Sequence, residues 1–303
     1  MAIAADWEHR IGKQRDWVWR GWQTRFSFSH PPQPQAQLKS PLILLHGFGA
    51  CIEHWRNNIP IIAEQYPVYA LDLLGFGASR KISTHFSVNL WAEQVYDFWR
   101  VFIEEPVVLV GNSIGSLVCL AIAERYPEMV RGITLINLPD VSLRQEMIPQ
   151  WLLPFIGRVE RLVASPLLLK PLFYLLRRPS IIRRWAAVAY PDATAISPEL
   201  VDILAIPAQD LGAAATFTRL CQAVNRPNFS PSARQALSRL SLPILLVWGT
   251  QDRMVPITLA PRFTEINPNL EFIPLKGAGH CPHDEHPERF NCVLLDWLAD
   301  NFA

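Results

Sequence analysis

Short, wholly apolar runs recur along this chain, each followed by a turn and a helix-like stretch, and they constrain the fold more than any other feature. Leu42–Leu45 (LILL), Val107–Val110 (VVLV) and Ile244–Trp248 (ILLVW) are continuous rather than alternating. That pattern predicts strands buried on both faces, as in a parallel sheet covered by helices. Val68–Leu71, Ile133–Ile136 and Glu271–Pro274 read the same way, with helices expected over Asn89–Ile103, Ile114–Arg125 and Pro287–Asn301. The alternation specifies an α/β, doubly wound sheet. Residues 17–20 and 23–29 alternate around Gly21, which predicts an antiparallel hairpin at the sheet edge.

The alternation lapses between Pro139 and Arg234, where the prolines at 149, 154, 171, 179, 191, 198 and 207 predict short, broken helices. The expected division is a core of residues 1–138 and 235–303 and a helical cap of residues 139–234. Half of the 303 residues are hydrophobic, enough for a sizeable core, and the net charge of +1 argues against nucleic-acid binding. Five dispersed cysteines, without metal-ligand spacing, predict free thiols in a reducing compartment. The N-terminus lacks the pattern of a signal peptide, and 162–176 is too short and too interrupted to span a bilayer. A cytoplasmic or membrane-peripheral location is therefore expected; the residues carry no sign of oligomeric state.

Gly111-Asn112-Ser113-Ile114-Gly115 lies between the VVLV strand and a helix, the context a G-x-S-x-G nucleophile elbow requires. The glycines remove side chains from a sharp turn, and the helix aims its first N–H groups at the serine. A serine hydroxyl needs a base, and His280, after Gly277-Ala278-Gly279, is preferred to its neighbours His283 and His286. Asp252, after the ILLVW strand, is the expected acid, with Asp140 in reserve. The backbone N–H groups of Phe48 and Ile114 are the expected oxyanion hole. His46 and Asp72 are read as structural.

The blocks LILLHGFGA, LDLLGFGAS, VVLVGNSIGS, LLVWGTQDRMVP and GAGHCPHDEHPE, taken in order over residues 42–288, resemble the α/β-hydrolase superfamily. GNSIGS departs from the usual small residue after the second glycine by having Ser116. The wording of three blocks is similar to plant and cyanobacterial chlorophyll dephytylases and pheophytinases, which implies hydrolysis of a phytyl ester. The resulting expectation is a serine carboxylic-ester hydrolase acting on a hydrophobic ester, with no metal or organic cofactor. A lipid acyl hydrolase or general carboxylesterase, a carbon–carbon bond hydrolase and a receptor retaining the pocket stand as alternatives. Trp151, Phe155 and Phe173 are candidate substrate contacts in the cap. Its apolar residues beside Arg177, Arg178, Arg183 and Arg184 fit either an anionic bilayer or a buried face with a solvated basic side.

Overall fold

The structure, a computed structural model, describes residues 6–33, 39–140, 165–226 and 228–302. Eight strands form one sheet: β1 (Lys13–Trp19), β2 (Trp22–Ser29), β3 (Leu42–Leu45), β4 (Val68–Leu71), β5 (Val107–Asn112), β6 (Val130–Ile136), β7 (Ile244–Gly249) and β8 (Leu270–Leu275). Their spatial order is β1-β2-β4-β3-β5-β6-β7-β8. The β1–β2 hairpin joins β4 antiparallel, and every later pairing is parallel. This is the α/β-hydrolase architecture, with the antiparallel hairpin at one edge as the alternation predicts.

The continuous apolar runs have the predicted cause. Val107 and Leu109 join a cluster with Trp91 and Phe98 on one face, while Val108 and Val110 join Trp55, Phe290 and Trp297 on the other. The first face is covered by α1 (Val88–Phe102) and α2 (Ile114–Arg125), the second by α7 (Pro287–Phe302). Ser87 starts α1 by accepting a hydrogen bond from Leu90 N–H, a cap worth about 1 kcal/mol. Ten of the twelve residues of α2 are buried, so this central helix has no polar face to show solvent.

Between β6 and β7 the described residues form α3 (Pro166–Leu176), α4 (Pro179–Ala189), α5 (Pro198–Ala205) and α6 (Ala213–Val224). Pro166, Pro179 and Pro198 each begin a helix, where the missing N–H costs nothing. Pro171 does not break the segment as expected; it lies inside α3. The carbonyl it cannot bond belongs to Leu167, which is 85% exposed and free to meet water. Arg56 fastens these helices to the core: its guanidinium pairs with Glu199 on α5 and with Asp284 near the C-terminal helix, 2.7 Å away. Tyr190 donates to the same Asp284 carboxylate at 2.8 Å. Removing one partner from so buried an ionic group costs about 3–5 kcal/mol.

Candidate active site

The carboxyl ends of the parallel strands supply the polar groups, as open α/β sheets do for ligands. Ser113 follows β5 and has φ +54° and ψ −112°, a strained conformation for a non-glycine residue. Its N–H donates to Ile136 O at 2.8 Å, which ties the elbow to β6. Cβ atoms at Gly111 or Gly115 would lie 2.4 Å from backbone atoms, so both sites demand glycine. Ser116 now has a reason: its hydroxyl meets Gly111 O at 2.6 Å and accepts Ile136 N–H at 3.0 Å. The hydroxyl straps the turn to the neighbouring strand, where a glycine or alanine would leave it unbraced.

Asp252 and His280 come together from β7 and β8. His280 Nδ1 is 2.8 Å from Asp252 Oδ2, and both side chains are buried. The second Asp252 oxygen accepts Met254 N–H at 2.7 Å and Val255 N–H at 2.9 Å, so the carboxylate's orientation is fixed. The His280 loop is held beside the elbow by Asn112, whose Nδ2 donates to His280 O at 3.0 Å. Among the described residues no hydrogen bond joins Ser113 Oγ to His280. His280 N–H donates to Ala189 O at 2.8 Å, at the end of α4. Gly279 is needed for that approach, since a Cβ there would lie 2.2 Å from Ala189 O. The glycine serves close backbone contact here.

The loop after β3 faces the elbow from the other side: a Cβ on Gly47 would be 3.5 Å from Ser113 Cβ. Neither Phe48 N–H nor Ile114 N–H bonds to a backbone carbonyl among the described residues, leaving both donors available. His46 braces this loop. Its Nδ1 bonds to Gly47 O at 2.7 Å and Leu73 N–H donates to its Nε2 at 3.1 Å, which selects the neutral Nδ1–H tautomer. Burial agrees, pulling its pKa down to about 4. Asp72 accepts Ile52 N–H and Ala78 N–H at 2.9 and 2.7 Å, a loop-building role as expected. An apolar cavity of about 400 Å³ opens at Ser113, lined by Phe48, Ile114, Leu117, Val224 and Phe229 among others. Phe48 also lines a smaller cavity of about 90 Å³ with Phe76, Phe173 and Phe217.

With this geometry in place, comparison with known proteins decides the family: the model of the alpha/beta hydrolase family matches residues 42–291. The chain belongs to the alpha/beta hydrolase family. Among curated relatives of this hydrolase, the chloroplastic pheophytinase of Arabidopsis thaliana is 27% identical across 91% of the chain. The chain spans 65% of that relative's length. A 2-hydroxy-6-oxononadienedioate/2-hydroxy-6-oxononatrienedioate hydrolase of Paraburkholderia phymatum is 30% identical over 86% of the chain and 88% of its own length. A crystal structure of a membrane phospholipase A shares the fold with a TM-score of 0.76 at 23% identity, covering 97% of this chain and 88% of that one.

The rival residues of the hydrolase's site lie elsewhere. His283 packs on Trp55 and Phe290, and neither ring nitrogen meets a hydrogen-bond partner among the described residues. Burial holds it neutral, well below the usual histidine range. His286 lies beyond a short helical turn, its N–H on Pro282 O. Asp140 pairs with Arg234 at 3.3 Å. Of the cap candidates, Phe173 is buried against Phe217, while Trp151 and Phe155 lie outside the described residues. All five cysteines are free thiols.

Two residues of the site escaped the sequence reading. Asn137, buried at the end of β6 with φ +49°, donates from Nδ2 to Asp252 Oδ2 at 2.5 Å and to Gly279 O at 2.9 Å. Its Oδ1 accepts Gly249 N–H at 3.0 Å, so one amide joins three strand ends. An asparagine just past a buried strand, tolerant of a left-handed backbone, was the available signal. Glu285 accepts N–H bonds from Gly279 and Cys281, the residues flanking His280, at 3.0 and 3.1 Å. Burial raises its pKa to about 7, against the lowering effect of those bonds.

Proposed function

We propose that this protein is a serine carboxylic-ester hydrolase acting through an acyl-enzyme on an ester of a long apolar alcohol, of the phytyl-ester type found in chlorophyll and pheophytin. The observation that carries the reading is the buried His280–Asp252 pair beside a strained Ser113 that opens into an apolar cavity. In this reading Ser113 Oγ attacks the ester carbonyl while His280 takes the hydroxyl proton. Asp252 keeps the ring oriented and stabilises the imidazolium. The N–H groups of Phe48 and Ile114 receive the oxyanion, a contribution of about 2.7–4 kcal/mol for each donor. His280 returns the proton to the departing alkoxide, then activates the water that frees the acid. The helices of residues 139–234 act as a cap that shields the reaction from solvent.

The Paraburkholderia relative favours a second reading, since its name denotes a dioate, which carries two carboxylates. Two carboxylates need cations or several donors to leave water. Among the described residues, no cationic side chain lines the cavity at Ser113. Lys81 lines the neighbouring cavity but is engaged with Asp210 at 3.0 Å and with two backbone carbonyls. The described part of the lining therefore supports an apolar ester.

Chlorophyll, pheophytin, a galactolipid and a short p-nitrophenyl ester, incubated side by side, test both parts. Phytol release should lead in kcat/KM, and Ser113→Ala should lower every hydrolysis by at least about 10³-fold. Full activity in the variant would exclude Ser113 as nucleophile. Equal rates on short and phytyl esters would sink the substrate assignment while leaving the esterase intact.

A further inference from the structure

By composition α3 belongs inside a protein: PLLLKPLFYLL holds one charge in eleven residues. Yet only Leu169 and Phe173, one turn apart, are buried. Leu167, Leu168 and Leu175 on α3 and Trp185 on α4 are exposed by 85, 53, 45 and 62%. A contiguous apolar face of this kind on a soluble domain marks a surface that meets another apolar phase. Its charges are one-sided. Residues 165–190 contain Lys170, Arg177, Arg178, Arg183 and Arg184 and no acid. None of these five forms an ion pair among the described residues.

We propose that the outer face of α3 and α4 is a docking surface for an anionic lipid bilayer. Leucines and a tryptophan would enter the boundary between headgroups and acyl chains, and the arginines would meet anionic headgroups. A second copy of the chain is the poorer occupant. A twofold contact would set this acid-free face against itself and oppose arginine to arginine. The inner face of the same helix supplies Phe173 to the small cavity that shares Phe48 with the cavity at Ser113. One helix thus separates the proposed bilayer side from the site, the route an apolar ester would take out of a membrane.

The proposal does not depend on ester hydrolysis, because docking is read without substrate. The full chain is co-sedimented with vesicles of phosphatidylcholine alone and with vesicles containing about 30% phosphatidylglycerol. Binding should be at least about tenfold stronger to the anionic vesicles and fall as salt is raised. Leu168→Ser with Leu175→Ser, and separately Arg183→Glu with Arg184→Glu, should each weaken it at least about tenfold. Both double variants should keep the wild-type thermal midpoint, which separates lost docking from lost folding. Absent or charge-independent vesicle binding overturns the proposal. So does binding unchanged in both variants, or a dimer in sedimentation that these substitutions split.

Discussion

Helices α2 and α3 are near equals in length and apolar content, yet one buries ten residues and the other two. α2 is the floor of the site, pressed between the sheet and α1, and its first N–H groups face the elbow. α3 is part of the wall opposite, with one row of side chains toward the core and the rest outward. Apolar composition alone therefore does not place a helix; what lies on its other side does.

An acid introduced into each helix is the sharpest way to break this comparison. Val118→Asp in α2 buries an unpaired carboxylate and should cost about 3–5 kcal/mol or abolish folding. Leu168→Asp in α3, where the side chain is already half exposed, should change stability by no more than about 0.5 kcal/mol. Urea unfolding of the two variants reads the difference directly. Similar losses in both would mean that the wall is as tightly packed as the floor.

On the floor side, Asn137→Ala removes two donors and one acceptor from the junction of Asp252, Gly279 and Gly249. Each buried group left unpaired costs about 1–3 kcal/mol. On the proposed function kcat should fall about tenfold or more with KM little changed, because the histidine's orientation suffers and the apolar cavity does not. A change in KM alone would remove Asn137 from the positioning of Asp252 and His280.

The floor was readable in the sequence for a physical reason. Strands buried on both faces must be continuously apolar, and an elbow without room for Cβ atoms must carry glycine, so β3, β5, β7 and Ser113 announce themselves. Asn137 and Glu285 do not, because the partners of the first lie more than a hundred residues away and those of the second are backbone N–H groups in a local turn. The position after β7 favours Asp252 with Asp140 in reserve, and the structure sets Asp252 Oδ2 2.8 Å from His280 Nδ1 while Asp140 pairs with Arg234. The wall was half readable. Its leucines and arginines were evident, but which of them face outward depends on the neighbours of α3, and Pro171 misled by sitting where its lost hydrogen bond faces water.

The last effect expected is one of pH. Glu285 has its folded pKa raised by burial from 4.5 to about 7. Between those values the folded state binds more protons than the unfolded chain, so its contribution to stability is complete below the lower value and is lost as pH rises through the upper. Glu285→Gln removes that dependence. The thermal midpoint of the wild type should lose ground to the variant on going from about pH 5 to about pH 8. A constant difference across that range would show that the carboxylate is as well solvated folded as unfolded.

The bond from His280 N–H to Ala189 O has a mechanical corollary. The residue read as the base hangs from the last turn of α4, and Gly279 lets the two backbones touch. If α4 swings outward, it must either sever that tether or carry the imidazole with it. On the proposed function, an outward swing that keeps the tether would draw His280 away from Asp252, whereas one that breaks it would leave that pair in place.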